Sequence, residues 1–122
     1  MSIPVDVAEL ERTLGDFGAG YLLTASPEGQ VKAVTVEPVV TGGTLVVPRS
    51  RGSAANLASN PRVTVIFPPR VARGYTLIID GSATVGDDEI VVTAATAVLH
   101  RPASHSESPS APEGCGHDCA PI

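Results

Sequence analysis

Six runs rich in valine, isoleucine, leucine and threonine, separated by turn and loop residues, leave this chain few options beyond an antiparallel sheet. They cover residues 20–25, 30–40, 44–48, 62–67, 75–85 and 89–99. Ser26-Pro27-Glu28-Gly29 has a proline and a glycine placed for a tight turn, Thr41-Gly42-Gly43 turns the chain again, and Gly86-Asp87-Asp88 is a hairpin signal. Connections this short join neighbouring antiparallel strands, and closing the sheet into a barrel would remove its exposed edges. In 30–40, Val31, Ala33 and Thr35 alternate with Lys32, Val34 and Val36, so both faces carry apolar groups. That pattern suits a strand inside a barrel or under a dimer partner.

Two helices complete the pattern. Residues 5–14 carry Asp6 and Glu9 at capping-box spacing, and Gly15 is placed to end the helix in a left-handed conformation. Val7, Leu10 and Leu14 share one face, which must pack on the sheet because so short a helix is unstable alone. A second helix is expected around residues 53–59.

The chain of 122 residues is the size of one domain. With 3% aromatic residues and no tryptophan, the core must be aliphatic, and little remains to stack on bases. A net charge of −5 also argues against nucleic-acid binding and against electrostatic attraction to membranes. No segment reaches transmembrane length and none resembles a signal peptide, so a cytoplasmic protein is expected.

Composition changes near residue 102, predicting a folded domain over 1–102 and a flexible Pro/Ser-rich tail over 103–122. The tail holds Cys115-Gly116-His117-Asp118-Cys119. Cys115, His117 and Cys119 are ligand types that suit zinc, although the spacing is not an established zinc pattern. The other reading is a pair of reactive thiols in an unstructured tail.

Residues 49–62 stand apart. Arg49-Ser50-Arg51-Gly52-Ser53 lies where a strand hands over to a helix. Helix-start N–H groups with arginine beside them form a phosphate seat. The same segment also reads as a plain helix start capped by Ser53, with its arginines in water.

The order of elements resembles the split-barrel flavoproteins of the pyridoxamine 5'-phosphate oxidase-like family, particularly the short actinobacterial type. Tyr21-Leu22-Leu23-Thr24 with Pro27-Glu28-Gly29, the segment 49–63, Tyr75-Thr-Leu-Ile-Ile-Asp80-Gly81 and Ala97-Val-Leu-His100-Arg101-Pro102 carry the resemblance. It implies a mainly β fold, a six-stranded antiparallel Greek-key split β-barrel with two short helices, paired into a homodimer. It further implies FMN, or a deazaflavin coenzyme, in a groove between subunits, acting on a small-molecule substrate.

Carried over by position, the resemblance puts the phosphate on Arg51, Ser53 and the N–H groups of Gly52 and Ala54, with Arg49, Ser50 and Lys32 alongside. Val34, Thr35, Val36, Val47 and Pro48 would lie near the flavin ring. Two positions depart from the pattern: many relatives carry a lysine where Ser53 stands, and the vitamin-B6 enzymes an arginine where Val34 stands. Two functions are therefore expected from the sequence. One is a flavin- or deazaflavin-dependent oxidoreductase. The alternative is a non-catalytic split-barrel binding protein with a degenerate flavin site and a metal- or redox-responsive Cys/His tail.

Overall fold

The computed structural model describes residues 2–103. In chain order these form β1 (Ser2–Val5), a 3-10 turn (Val7–Glu9), α1 (Leu10–Leu14), β2 (Gly20–Ala25), β3 (Val31–Val36), β4 (Val39–Thr41) and β5 (Thr44–Pro48). There follow α2 (Arg51–Ser59), β6 (Arg62–Phe67), β7 (Thr76–Val85) and β8 (Glu89–His100). All eight strands belong to one sheet, ordered β3-β2-β6-β7-β8-β5-β4, with β1 also on β8. Every pairing is antiparallel. Residues 103–122, read from sequence as a tail, lie outside the described residues save Ala103, and so do Cys115, His117 and Cys119.

β3 and β4 are opposite edges of the sheet, yet only Glu37 and Pro38 separate them along the chain. Three residue steps reach at most about 11 Å. The two edges must therefore come close, and the sheet curls into a barrel with a split that the chain itself crosses. No ladder among the described residues zips this split, so the closure expected from sequence is partial.

The curl sets inside and outside. Leu22, Val36, Leu45, Val47, Val63, Val65, Phe67, Leu77, Ile79, Ile90 and Val92 point inward and form a buried aliphatic core. Gly20 is needed at one tight point, since a Cβ there would lie 2.5 Å from the Ile66 carbonyl oxygen and 2.6 Å from the Phe67 ring. Between β7 and β8, Asp80 faces Thr96 whereas Gly81 faces Ala94, so Ala95 is an extra residue. This bulge lets β8 keep Ala97 inside at one end and Ile90 and Val92 inside at the other.

Several expectations are corrected. The sheet has eight strands rather than six. Pro38, which has no N–H to donate, interrupts the run over 30–40, and Val5, expected to start a helix, instead ends the strand Ser2–Val5 that pairs with the end of β8. The first helix accordingly shrinks: Asp6 accepts from the Ala8 N–H at 3.0 Å to start a 3-10 turn, and α1 begins at Leu10. Glu9 does not close a capping box but pairs with Arg12 at 2.8 Å. Gly15 ends α1 in a right-handed conformation (φ −60°), not a left-handed one, with its N–H turned back to Arg12 and Thr13. Val7, Leu10 and Leu14 do share the face laid on the core. Left-handed glycines occur instead at Gly29 (φ 88°) and Gly42 (φ 60°), both in the expected turns.

Candidate functional site

The segment 49–62 forms a handover from β5 to β6 through α2, which packs against β2, β3 and β7. Its buried face is Ser53, Ala54 and Leu57. Asn56 fixes the helix to the sheet by donating its side-chain N–H to the Thr24 hydroxyl at 2.9 Å, and Thr24 is itself buried. The Arg49 N–H donates to the Asp88 carbonyl at 3.0 Å, tying the approach to α2 to the β7–β8 hairpin.

The helix begins two residues earlier than expected, which changes the role of each serine. Ser50 is the N-cap residue, extended at φ −120° and ψ 144°, but its hydroxyl does not cap. Its carbonyl accepts the Ala54 N–H at 2.9 Å. Ala54 is therefore committed to the helix ladder and is withdrawn from the donor set that the resemblance implied. The N–H groups of Arg51, Gly52 and Ser53 precede that first ladder bond, as in any helix start.

Ser53 is not the cap. It sits in the first turn, fully buried, and its hydroxyl has no hydrogen-bond partner among the described residues. The Ser50 hydroxyl is in the same condition. Side chains on a helix lean toward its N-terminus, so Ser53 leans toward the free amides of that first turn. Leaving a buried hydroxyl unpaired costs about 1–3 kcal/mol, and here two such groups flank one helix start.

Cations gather around this start, and Asp88 and Glu89 of the β7–β8 hairpin lie beside its approach at Arg49 and Pro48. Arg49 and Arg51 are exposed, and the first turn of α2 contains no acidic residue. Lys32 reaches over from β3: a Cβ built on Gly52 would fall 2.9 Å from Lys32 Nζ. The only ion pair among the described residues is Arg12 with Glu9, so Lys32, Arg49 and Arg51 have no carboxylate within 4.0 Å. The helix dipole adds about half a positive charge at the same place. The arrangement is a donor set for an anion, with N–H groups, hydroxyls and cations converging.

The remaining sequence candidates separate by face. Lys32, Val34 and Val36 share the inner side of β3, with Val36 buried and Val34 packed against the core. Thr35 is on the outer face, paired with Tyr21. Val47 is a core residue at 2% exposure, while Pro48 is exposed at the strand end next to Arg49.

Sequence reasoning missed a groove of about 660 Å³ on the outer face, whose walls include Leu23, Val31, Arg62, Thr64 and Asp80. The Thr64 hydroxyl donates to Asp80 Oδ1 at 2.6 Å across the β6–β7 ladder. The signal was available only as the cross-strand register, which the sequence does not print. Tyr21 and Val31 are exposed on the same face at 44% and 59%, and Leu23, Ile66 and Ile78 are half-buried there. Among the described residues no cluster of three or more His, Cys, Asp or Glu side chains could hold a metal ion. Nor is any described helix long and apolar enough to cross a membrane.

Comparison with known proteins agrees with this fold. The chain is 36% identical over 135 aligned positions to uncharacterized proteins of Mycobacterium tuberculosis and Mycobacterium bovis, covering 94% of this chain and 92% of theirs. Its structure is similar to a FAD-binding protein of Mesorhizobium loti (TM-score 0.62, 15% identity, 83% of this chain and 98% of that one). It is also similar to an F420 reductase (TM-score 0.56, 15% identity, 70% and 91%) and to HutZ, the haem storage protein of Vibrio cholerae (TM-score 0.55, 14% identity, 75% and 92%). At such identities these likenesses speak for the fold alone. The sequence profile described as pyridoxamine 5'-phosphate oxidase matches residues 7–112, and with the split barrel it places this chain in the pyridoxamine 5'-phosphate oxidase-like family of flavin-binding split-barrel proteins.

Proposed function

We propose that this protein is a flavin- or deazaflavin-dependent oxidoreductase that acts on a small organic substrate as a homodimer. The observation that carries the reading is the pair of buried, unpartnered hydroxyls of Ser50 and Ser53 at a helix start. A phosphate oxygen is the acceptor this start lacks, and the residues present fit one. The N–H groups of Arg51, Gly52 and Ser53 would donate to it, with Arg51 and Lys32 supplying charge. Val34 and Pro48 would lie beside the ring and keep water from it. A bound flavin would supply two-electron transfer, and the protein would supply binding, orientation and electrostatics. Similar structures include proteins described as FAD-binding and as an F420 reductase, which supports the flavin class without selecting the coenzyme.

The homodimer rests on the outer sheet face. Tyr21, Leu23, Val31, Ile66 and Ile78 form an apolar surface on the outer face of the sheet, which another sheet face can cover. A second copy would bury this belt around the Thr64–Asp80 bond. Sedimentation of the wild type should show a dimer and Leu23→Lys a folded monomer; a monomeric wild type removes this part of the proposal.

Titration with FMN and with a deazaflavin coenzyme tests the cofactor. Binding should change the visible flavin spectrum and raise the melting temperature, with about 2.7 kcal/mol of stabilisation at a ligand concentration of 100 times Kd. No spectral change and no stabilisation by either coenzyme would reject the flavin reading.

A further inference from the structure

Two charges on the outer face of the sheet have no counterpart in their own chain. Arg62 on β6 and Asp80 on β7 are the charged side chains in the walls of the outer groove, and both are exposed. They stand diagonally, because Arg62 is opposite Ser82 in the ladder and Asp80 is opposite Thr64. They do not pair with each other, since Arg12 with Glu9 is the only ion pair among the described residues. Asp80 accepts the Thr64 hydroxyl on Oδ1, which leaves most of the acceptor capacity of its carboxylate unused.

The other diagonal of this quartet is Thr64 and Ser82, two small hydroxyl side chains. Continued by one strand it reaches Tyr21, because Tyr21 is opposite Ile66, two residues on from Thr64. Each step along Tyr21, Thr64 and Ser82 moves one strand over and two residues along, so the three lie on one line across the face. Arg62 and Asp80 lie on opposite sides of that line and equally far from it. A two-fold axis along the line, between two copies packed face to face, would set each Arg62 over the other copy's Asp80. The same rotation carries Leu23 toward Ile66 and Ile78, apolar onto apolar, and brings Tyr21 against its own copy.

We propose that the homodimer is built about this line, with Arg62 of each subunit paired to Asp80 of the partner subunit across the outer groove. The proposal rests on the homodimer reading above and specifies it. A second copy is the partner that fits, because the face is complementary to itself: one cation and one anion are placed symmetrically about residues that can meet their own copies. An isologous contact forms every pairing twice, so one unpaired arginine and one unpaired aspartate give two ion pairs. Flanked by Tyr21, Leu23, Ile66 and Ile78, these pairs fix the register of the two faces and reject other apolar surfaces, which is the usual role of charge at an interface.

Sedimentation of four full-length proteins tests this: wild type, Arg62→Asp, Asp80→Arg and the exchange variant that carries both changes. Each single variant sets like charges together twice per dimer. Each should therefore raise the dimer dissociation constant about 100-fold or more, tenfold for each of two contacts. An equimolar mixture of the two single variants should dimerise again, because aspartate then faces arginine at both contacts. The exchange variant should dimerise within about tenfold of the wild type. A separate measurement needs no reversal of charge. Raising salt from about 0.05 to about 0.5 M should weaken the wild-type dimer and leave an Arg62→Met dimer nearly unchanged.

A wild-type dimer whose single variants dimerise equally well would overturn the pairing and leave the homodimer standing. So would single variants that stay monomeric when mixed, an exchange variant that stays monomeric although circular dichroism shows it folded, or an equal salt response in wild type and Arg62→Met. A monomeric wild type removes the homodimer reading itself, and this inference with it.

Discussion

Phe67 and Ser53 are equally hidden from water, both at 0% exposure, but they are hidden for opposite reasons. Phe67 points into the barrel among Leu22, Leu77 and Val92, and meets the ring of Phe17 edge-on at 6.5 Å between centroids. Nothing polar is left over there, and burial of such a side chain stabilises the fold by about 1.5–3 kcal/mol. Ser53 lies in the first turn of α2 with its hydroxyl unpaired, and the Ser50 hydroxyl at the same helix start is unpaired too. The barrel core satisfies every local rule, whereas the helix start breaks several in one place. Such a concentration of broken rules in an otherwise consistent fold is what a binding site looks like before its ligand arrives.

The contrast makes predictions in order of size. Phe67→Ala should lower stability by about 3–5 kcal/mol in urea unfolding, by leaving a cavity in the core. A loss below about 1 kcal/mol would show that this region is not the tight core described. Arg51→Ala should behave in the reverse way. It should weaken FMN about tenfold, or about 1.4 kcal/mol, while unfolding stability without ligand stays within about 0.5 kcal/mol of the wild type. Unchanged FMN affinity would move the phosphate away from α2.

Ser53→Ala is the smallest effect and the sharpest. Removing an unpaired buried hydroxyl should raise the stability of the ligand-free protein by about 1 kcal/mol and weaken FMN binding. A drop in ligand-free stability would mean that the hydroxyl already has a partner, and the contrast with Phe67 would collapse.

Much of the barrel was legible from local chemistry. Pro27 and Gly29 announce the β2–β3 turn, and Gly86 with its two aspartates announces the β7–β8 hairpin; both are where they were expected. Val63, Val65 and Phe67 alternate with Thr64 and Ile66, and the former set is the buried one. The misreadings came where a distant partner outweighed local preference. Val5 could start a helix, but β8 offers Ser2–Val5 a ladder, and propensity yields to tertiary pairing. The strand predicted over 30–40 runs through Pro38 in sequence and stops there in space, because the chain must cross the split.

The candidate site was half legible. The composition of residues 49–53 marks a helix start suited to phosphate, whatever the fold. Lys32, twenty residues upstream, was put there only by the resemblance, and its arrival over Gly52 is a matter of the fold. Nor does composition reveal that Ser53 is buried rather than capping, since the position of the helix start decides it.

By itself, then, the sequence determined an antiparallel sheet of short strands, an aliphatic core and a basic, serine-rich helix start. Periodicity and turn residues act over a few neighbours, and those features need no more. Only the tertiary structure decided where the split falls, which face of β3 Lys32 takes, and that its charge meets the α2 dipole. Register and curl are set by contacts between residues far apart in the chain, and a charge has meaning only beside the groups that the fold brings to it.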